Sequence, residues 1–178
     1  MIQTAARRTL KDAPIMWRRI NSIGIILDCN STYAEKMLYA KSEILGKPIC
    51  AHVPRGSWDA MTRSLTKWFE TGEVTDQKII FLREDGSTFP GLLQATSIYD
   101  HAGALMGSNT AIFDLDEMSD GHIATYARFI KNANQRLAEI GTSDYDVMNA
   151  TSRSEYNGLR KMFKMLAEVD LGRLRQRR

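Results

Sequence analysis

Gly24-Ile25-Ile26-Leu27-Asp28-Cys29-Asn30, Ser42-Glu43-Ile44-Leu45-Gly46-Lys47-Pro48, Arg83-Glu84-Asp85-Gly86-Ser87-Thr88-Phe89 and Gly103-Ala104-Leu105-Met106-Gly107 follow one another along the stretch Ile23 to Asp116, which closes on Phe113-Asp114-Leu115-Asp116-Glu117. The first is an apolar, β-branched run ending in small and polar residues, as a strand feeding a helix cap does. The second is a helical turn stopped by Gly and Pro. The third places Asp-Gly between two apolar runs, the composition of a hairpin turn. The fourth is a Gly-bounded apolar run leading to an acidic segment that can accept from the first amides of a helix.

Outward from these signals the chain divides into elements. Thr4 to Lys11 suits a short N-terminal helix ended by Pro14. Ile15–Ile20 and Ile23–Asp28 read as a strand hairpin. Ser31 can cap a helix over Thr32–Tyr39, and Ser42 opens another turn. Asp59–Thr71 is a longer helix whose Met61, Leu65, Trp68 and Phe69 share one apolar face. Val74–Leu82, Thr88–Tyr99 and Ala104–Leu115 then switch to strand patterning, joined by Asp85-Gly86 and Asp100 to Gly103.

Beyond Glu117 the pattern is helical. Ile123, Tyr126, Ile130, Ala133, Leu137 and Ile140 alternate spacings of three and four, the spacing of a heptad seam. Gly141 closes that run, and Ser152 with Glu155 has the spacing of a capping box before a second helix. The expected fold class is α+β: a five-stranded antiparallel sheet with short helices on one face, followed by a helical hairpin or coiled-coil-like tail. The expected divisions are a cap helix at 1–11, a domain at 12–117 and a helical extension at 118–178.

Composition narrows the function. The 178 residues carry a net charge of +3 and an apolar fraction of 43%, suited to a packed core. No apolar run approaches the roughly 20 residues that cross a bilayer, and Met1–Asp12 lacks the apolar stretch of a secretion signal, so a cytoplasmic place without a membrane is expected. Cys29 and Cys50 form no Cys-x-x-Cys pair, and the three histidines show no metal-ligand spacing. Neither a phosphate loop nor a nucleophile elbow is present, so no enzyme is expected. Residues 119–178 carry +4 and the remainder −1, a basic tail with only weak attraction for polyanions. Leu137 to Ser143 has the look of a helix-turn-helix entry, which gives a secondary expectation of a transcriptional regulator binding DNA. The acidic, polar Asp144–Thr151 is poorly made for reading bases.

The ordered signals resemble a PAS domain over residues 12–117. In that family an Asn opens the first helix, as Asn30 stands here. An acidic-Leu-Gly pattern ends the next turn, as Glu43 to Gly46 do, and a basic-acidic-Asp-Gly-Ser turn matches Arg83–Ser87. The family's last strand ends in Asp-Ile-Thr, and Asp114-Leu115-Asp116 occupies that place as the signal-coupling motif, with Asp in place of Thr. The resemblance implies a sensory module that binds a small molecule or a protein partner and signals through its following helices. It also implies a homodimer and a downstream signalling protein such as a kinase or regulator.

By the same resemblance the ligand-facing residues are Met37, Leu38, Leu65, Trp68 and Phe69 from the helices. Gly91, Leu93 and Ala95 face them from the fourth strand, and Thr110 and Ile112 from the fifth. No cofactor is expected; haem on His52 and flavin are the alternatives that the resemblance admits. The light-sensing branch carries Gly-x-Asn-Cys-Arg-Phe-Leu-Gln. Here Gly46 to His52 lacks the Asn, Cys50 falls one place late, and Ile112 replaces the Gln that meets flavin, so no photochemical adduct is expected.

Overall fold

The computed structural model describes residues 8–177. Residues 8–11 are helical, and the rest of the expected N-terminal helix lies outside the described residues. Five strands, β1 (Met16–Asn21), β2 (Ile26–Cys29), β3 (Glu73–Leu82), β4 (Thr88–Tyr99) and β5 (Leu105–Asp114), form one sheet in the order β2-β1-β5-β4-β3. Every neighbouring pair is antiparallel. Three helices fill the β2–β3 connection: α1 (Ser31–Met37), α2 (Lys41–Ile44) and α3 (Trp58–Thr71). After β5 come α4 (Asp120–Ser143) and α5 (Ala150–Glu168).

Asn30 explains how β2 turns into α1. Its Oδ1 accepts from Tyr33 N and Trp17 N, both at 3.0 Å, while its Nδ2 donates to Ile15 O at 2.8 Å and Leu10 O at 3.0 Å. One side chain thereby caps the helix and ties it to β1, with each of its hydrogen-bonding groups used. The cap is Asn30, as the resemblance implies, rather than Ser31, whose hydroxyl donates instead to Lys11 O at 2.7 Å. The α5 cap also differs from the expected Ser152. Asn149 Oδ1 accepts from Ser152 N, and Glu155 pairs with Arg19 at 2.7 Å.

Alternation along β1 sends Met16, Arg18 and Ile20 to one face and Trp17 to the other. Two cores result. The inner one joins Met16, Ile20, Cys29, Leu93, Ala95 and Ile112 to α1, α2 and α3 through Tyr33, Met37, Ile44, Met61 and Trp68. The outer one joins Trp17, Leu92, Ala111 and Phe113 to α4 and α5. The sheet is the middle layer of three, so β4 and β5 are buried on both faces.

The expected seam of α4 is turned inward. Tyr126, Ile130, Ala133, Leu137 and Ile140 pack in the outer core with Tyr156, Leu159, Met162 and Phe163 of α5. The tail is therefore a hairpin packed on its own sheet, and this seam is not free to pair as a coiled coil with a second chain. α4 continues through Gly141 to Ser143, followed by a 3-10 turn at Tyr145–Val147. The residues expected to hold a helix-turn-helix entry are thus the unbroken end of α4, and the next helix, α5, packs in the outer core. Arg173 and Arg175 of the basic tail pair with Asp170 and Asp120.

Candidate functional site

The inner face of the sheet holds a cation. Arg18 is 1% exposed, set between apolar Met16 and Ile20 on β1 and directly across from Cys29 on β2 and Thr110 on β5. Its Nη1 donates to Tyr33 Oη at 3.0 Å, and its guanidinium lies 5.7 Å from the Tyr33 ring and 5.8 Å from that of Phe81. Its Nε–H meets no acceptor. Tyr33 Oη lies 2.8 Å from His52 Nδ1, and Tyr39 stacks on the imidazole at 5.2 Å.

Proton placement in this chain follows from its cationic end. A hydroxyl that accepts from a guanidinium has its own proton to give, so Tyr33 donates to His52 Nδ1 and the imidazole proton resides on Nε2. Burial, reinforced by the Arg18 charge, holds His52 down to about 4 from 6.5, so the ring is neutral near neutral pH. Burial pushes the Tyr33 phenol above its ordinary value and Cys29 up to about 11.

The expected lining residues divide. Met37, Trp68, Leu93, Ala95 and Ile112 are buried in the inner core, Thr110 is buried opposite Arg18, and Leu65 packs partly buried at the core's edge. Leu38 and Phe69 are corrections, being 48% and 56% exposed. Leu38 ends α1 with φ of +61°, and that left-handed step turns its side chain outward. Phe69 follows the buried Trp68, and a step of about 100° along a helix carries it off the core face. Gly91 leaves no room for a ligand: a Cβ there would meet the Phe81 ring at 2.5 Å and Ile112 at 2.9 Å. Trp68 Nε1 donates to Ser97 Oγ at 2.8 Å, which fixes the indole against β4.

Arg18 and Tyr33 were not among the sequence candidates. The signal was present in Met16-x-Arg18-x-Ile20, where period two places the arginine between two apolar residues of one face.

At the sheet's exit, Asp114 Oδ1 accepts from Asp116 N at 3.0 Å and caps the turn Leu115–Glu117, while Leu115 is fully buried in the outer core. Ser119 Oγ then caps α4 by accepting from His122 N. Asp114 and Ser119 thus supply the caps of this segment, and Asp116 is exposed. Asp114 Oδ2 stands 3.8 Å from Lys36 Nζ and 3.7 Å from Arg83 Nη2, and Lys36 also pairs with Glu117. Burial raises the Asp114 carboxyl above its ordinary value.

Arg83 Nε donates to Lys36 O at 2.9 Å, and Glu84 N to Met37 O at 3.1 Å, so the β3–β4 turn clamps the end of α1. Helix α1 thus carries Tyr33 in the core cluster and Lys36 at the junction.

The cofactor alternatives fare differently against this geometry. A flavin adduct does not fit: Cys50 is exposed, and the buried thiol is Cys29, held protonated opposite Arg18. His52 has its Nδ1 on Tyr33 and one ring face on Tyr39, the place of a hydrogen-bond partner within the cluster. Among the described residues no His, Cys, Asp and Glu gather as a metal site, and no helix is long and apolar enough to cross a membrane.

No family model and no curated protein matches the chain. Solved structures do. The LOV protein of Rhodobacter sphaeroides is 18% identical with a TM-score of 0.65, over 99% of this chain and 98% of that one. The PAS domain of a protein from Colwellia psychrerythraea is 18% identical with a TM-score of 0.59, over 64% of this chain and 97% of its own. The PAS domain, in complex with ethanol, of a LuxR-family transcriptional regulator from Burkholderia thailandensis is 20% identical with a TM-score of 0.52, over 62% and 96%. At these identities the likeness is one of fold. The chain has a PAS-like fold, and the similarity to the first structure takes in the helical tail.

Proposed function

We propose that this chain is a cytoplasmic sensory module, not an enzyme. Its inner core receives a small molecule or a partner, and its α4–α5 hairpin carries the change to a downstream kinase or regulator. The observation that carries this reading is the double engagement of α1. Tyr33 is bonded into the buried Arg18–His52 cluster, and one turn later Lys36 faces Asp114 and Glu117 at the start of the tail. A change that moves Tyr33 moves a rigid two-turn helix, and with it the ion pairs that set the sheet-to-tail turn. The likeness to a PAS domain of a transcriptional regulator supports a regulatory output.

Hydrogen exchange tests the coupling. Tyr33→Phe removes only the central hydroxyl, yet it should change amide exchange over residues 115–126 by about fivefold or more. The same substitution in an Asp114→Asn background should leave those amides unchanged, because the charge facing Lys36 and Arg83 is gone. A tail that ignores Tyr33→Phe overturns the coupling.

A further inference from the structure

A buried guanidinium needs a counter-charge, and none of its neighbours supplies one. Cys29, Thr110, Tyr33, His52 and Phe81 surround Arg18, and no acidic side chain pairs with it among the described residues. The thiol and phenol are held protonated by burial, and the imidazole is neutral. Two ring faces and one hydroxyl soften the loss of hydration without balancing the charge. The Nε–H remains a charged donor with no acceptor inside an otherwise apolar core, where such a group is costly to leave unpaired.

We propose that Arg18, with Thr110 opposite it on β5, receives the carboxylate of a short-chain monocarboxylic acid. This rests on the sensory reading and names the ligand class. One guanidinium balances one negative charge, whereas a phosphomonoester carries nearly two near neutral pH and would leave the excess buried. The guanidinium edge that includes Nε presents parallel donors to two carboxylate oxygens. The ligand's body is short because Phe81 and Ile112 occupy the space over Gly91, leaving the small side chain of Ala95 next to Thr110 on the same face. Carboxylate binding would draw the guanidinium from Tyr33 and so act on α1.

Arginine side-chain NMR on the full 15N-arginine-labelled chain tests this, with propionate as probe and propionamide and chloride at matched ionic strength as controls. The Arg18 Nε–H signal is assigned by its loss in Arg18→Met or in Arg18→Lys, either of which suffices if it folds. Propionate should move that signal saturably, with no equivalent movement by propionamide or chloride. It should also raise the melting temperature by about 5 °C or more at a hundredfold excess over Kd.

Equal movement by propionamide overturns the carboxylate assignment and leaves a core that binds neutral molecules. An Arg18 signal that ignores both probes overturns the assignment too. The coupling of core to tail then still stands or falls by the Tyr33→Phe exchange experiment.

Discussion

Arg18 and His52 share a hydroxyl, yet substitution should affect them in opposite ways. Arg18 loses its hydration on folding and regains one hydrogen bond and two distant ring faces. Replacing a buried charge by an apolar side chain of similar length is often neutral or stabilising by about 1–4 kcal/mol. Arg18→Met should therefore leave the urea midpoint unchanged or raise it; a loss above about 1 kcal/mol would show that the guanidinium stabilises the free protein. His52 acts through pH. Its pKa is about 4 folded against 6.5 unfolded, so between these values the unfolded chain binds a proton that the folded chain refuses. Its contribution is complete above pH 6.5 and is lost as pH falls toward 4, up to about 3 kcal/mol. His52→Gln keeps an acceptor for Tyr33 and removes the titration. Its urea midpoint should decline less than the parent's between pH 7 and 4.5, and equal declines would contradict the assignment. Asp114, whose raised carboxyl acts in the opposite direction, is common to both proteins and drops out of the difference.

Among the elements, the strands β3, β4 and β5 meet most tightly at Gly91, which pairs with Ile79 on one side and Asp114 on the other. The Phe81 ring and Ile112 lean over it, and both are buried to within 1%. Gly91→Ala should cost about 1–3 kcal/mol in chemical denaturation, because neither neighbour has free space to enter. An unchanged midpoint would show that the core has slack there. Element type was legible in the chain: β-branched alternation, Asp85-Gly86 and the apolar face of α3 each act within a few residues. Caps were less so, because Asn30 and Ser31, or Asn149 and Ser152, offer competing acceptors a few positions apart. The backbone path chose between them.

For the whole molecule, the decisive feature is the tail on the outer face of the sheet. Ile15, Trp17, Leu92, Ala111, Phe113 and Leu115 lie under α4 and α5. Deleting residues 119–178 exposes this contiguous apolar surface, of the kind that drives association. Light scattering should find the shortened chain as dimers or larger species at concentrations where the full chain does not self-associate through this face. A monomeric shortened chain of parental stability would show that the tail is not a structural layer. The amphipathic face of α4 was visible in the chain, but its partner was not. A heptad seam and a stripe packed on a sheet present nearly the same spacing.

The strand and helix succession, the two hairpin turns and the polar motif that ends the sheet are written in the chain, since propensity, turn chemistry and capping act locally. The alternation that sets Arg18 between Met16 and Ile20 is equally local, although it was not read as a site. That Tyr33 and His52 meet that arginine, that Phe81 fills the space over Gly91 and that the tail folds back on its own sheet emerges in three dimensions. Those contacts join residues far apart in the chain, and their selection depends on burial and shape across three layers, which residue spacing does not encode.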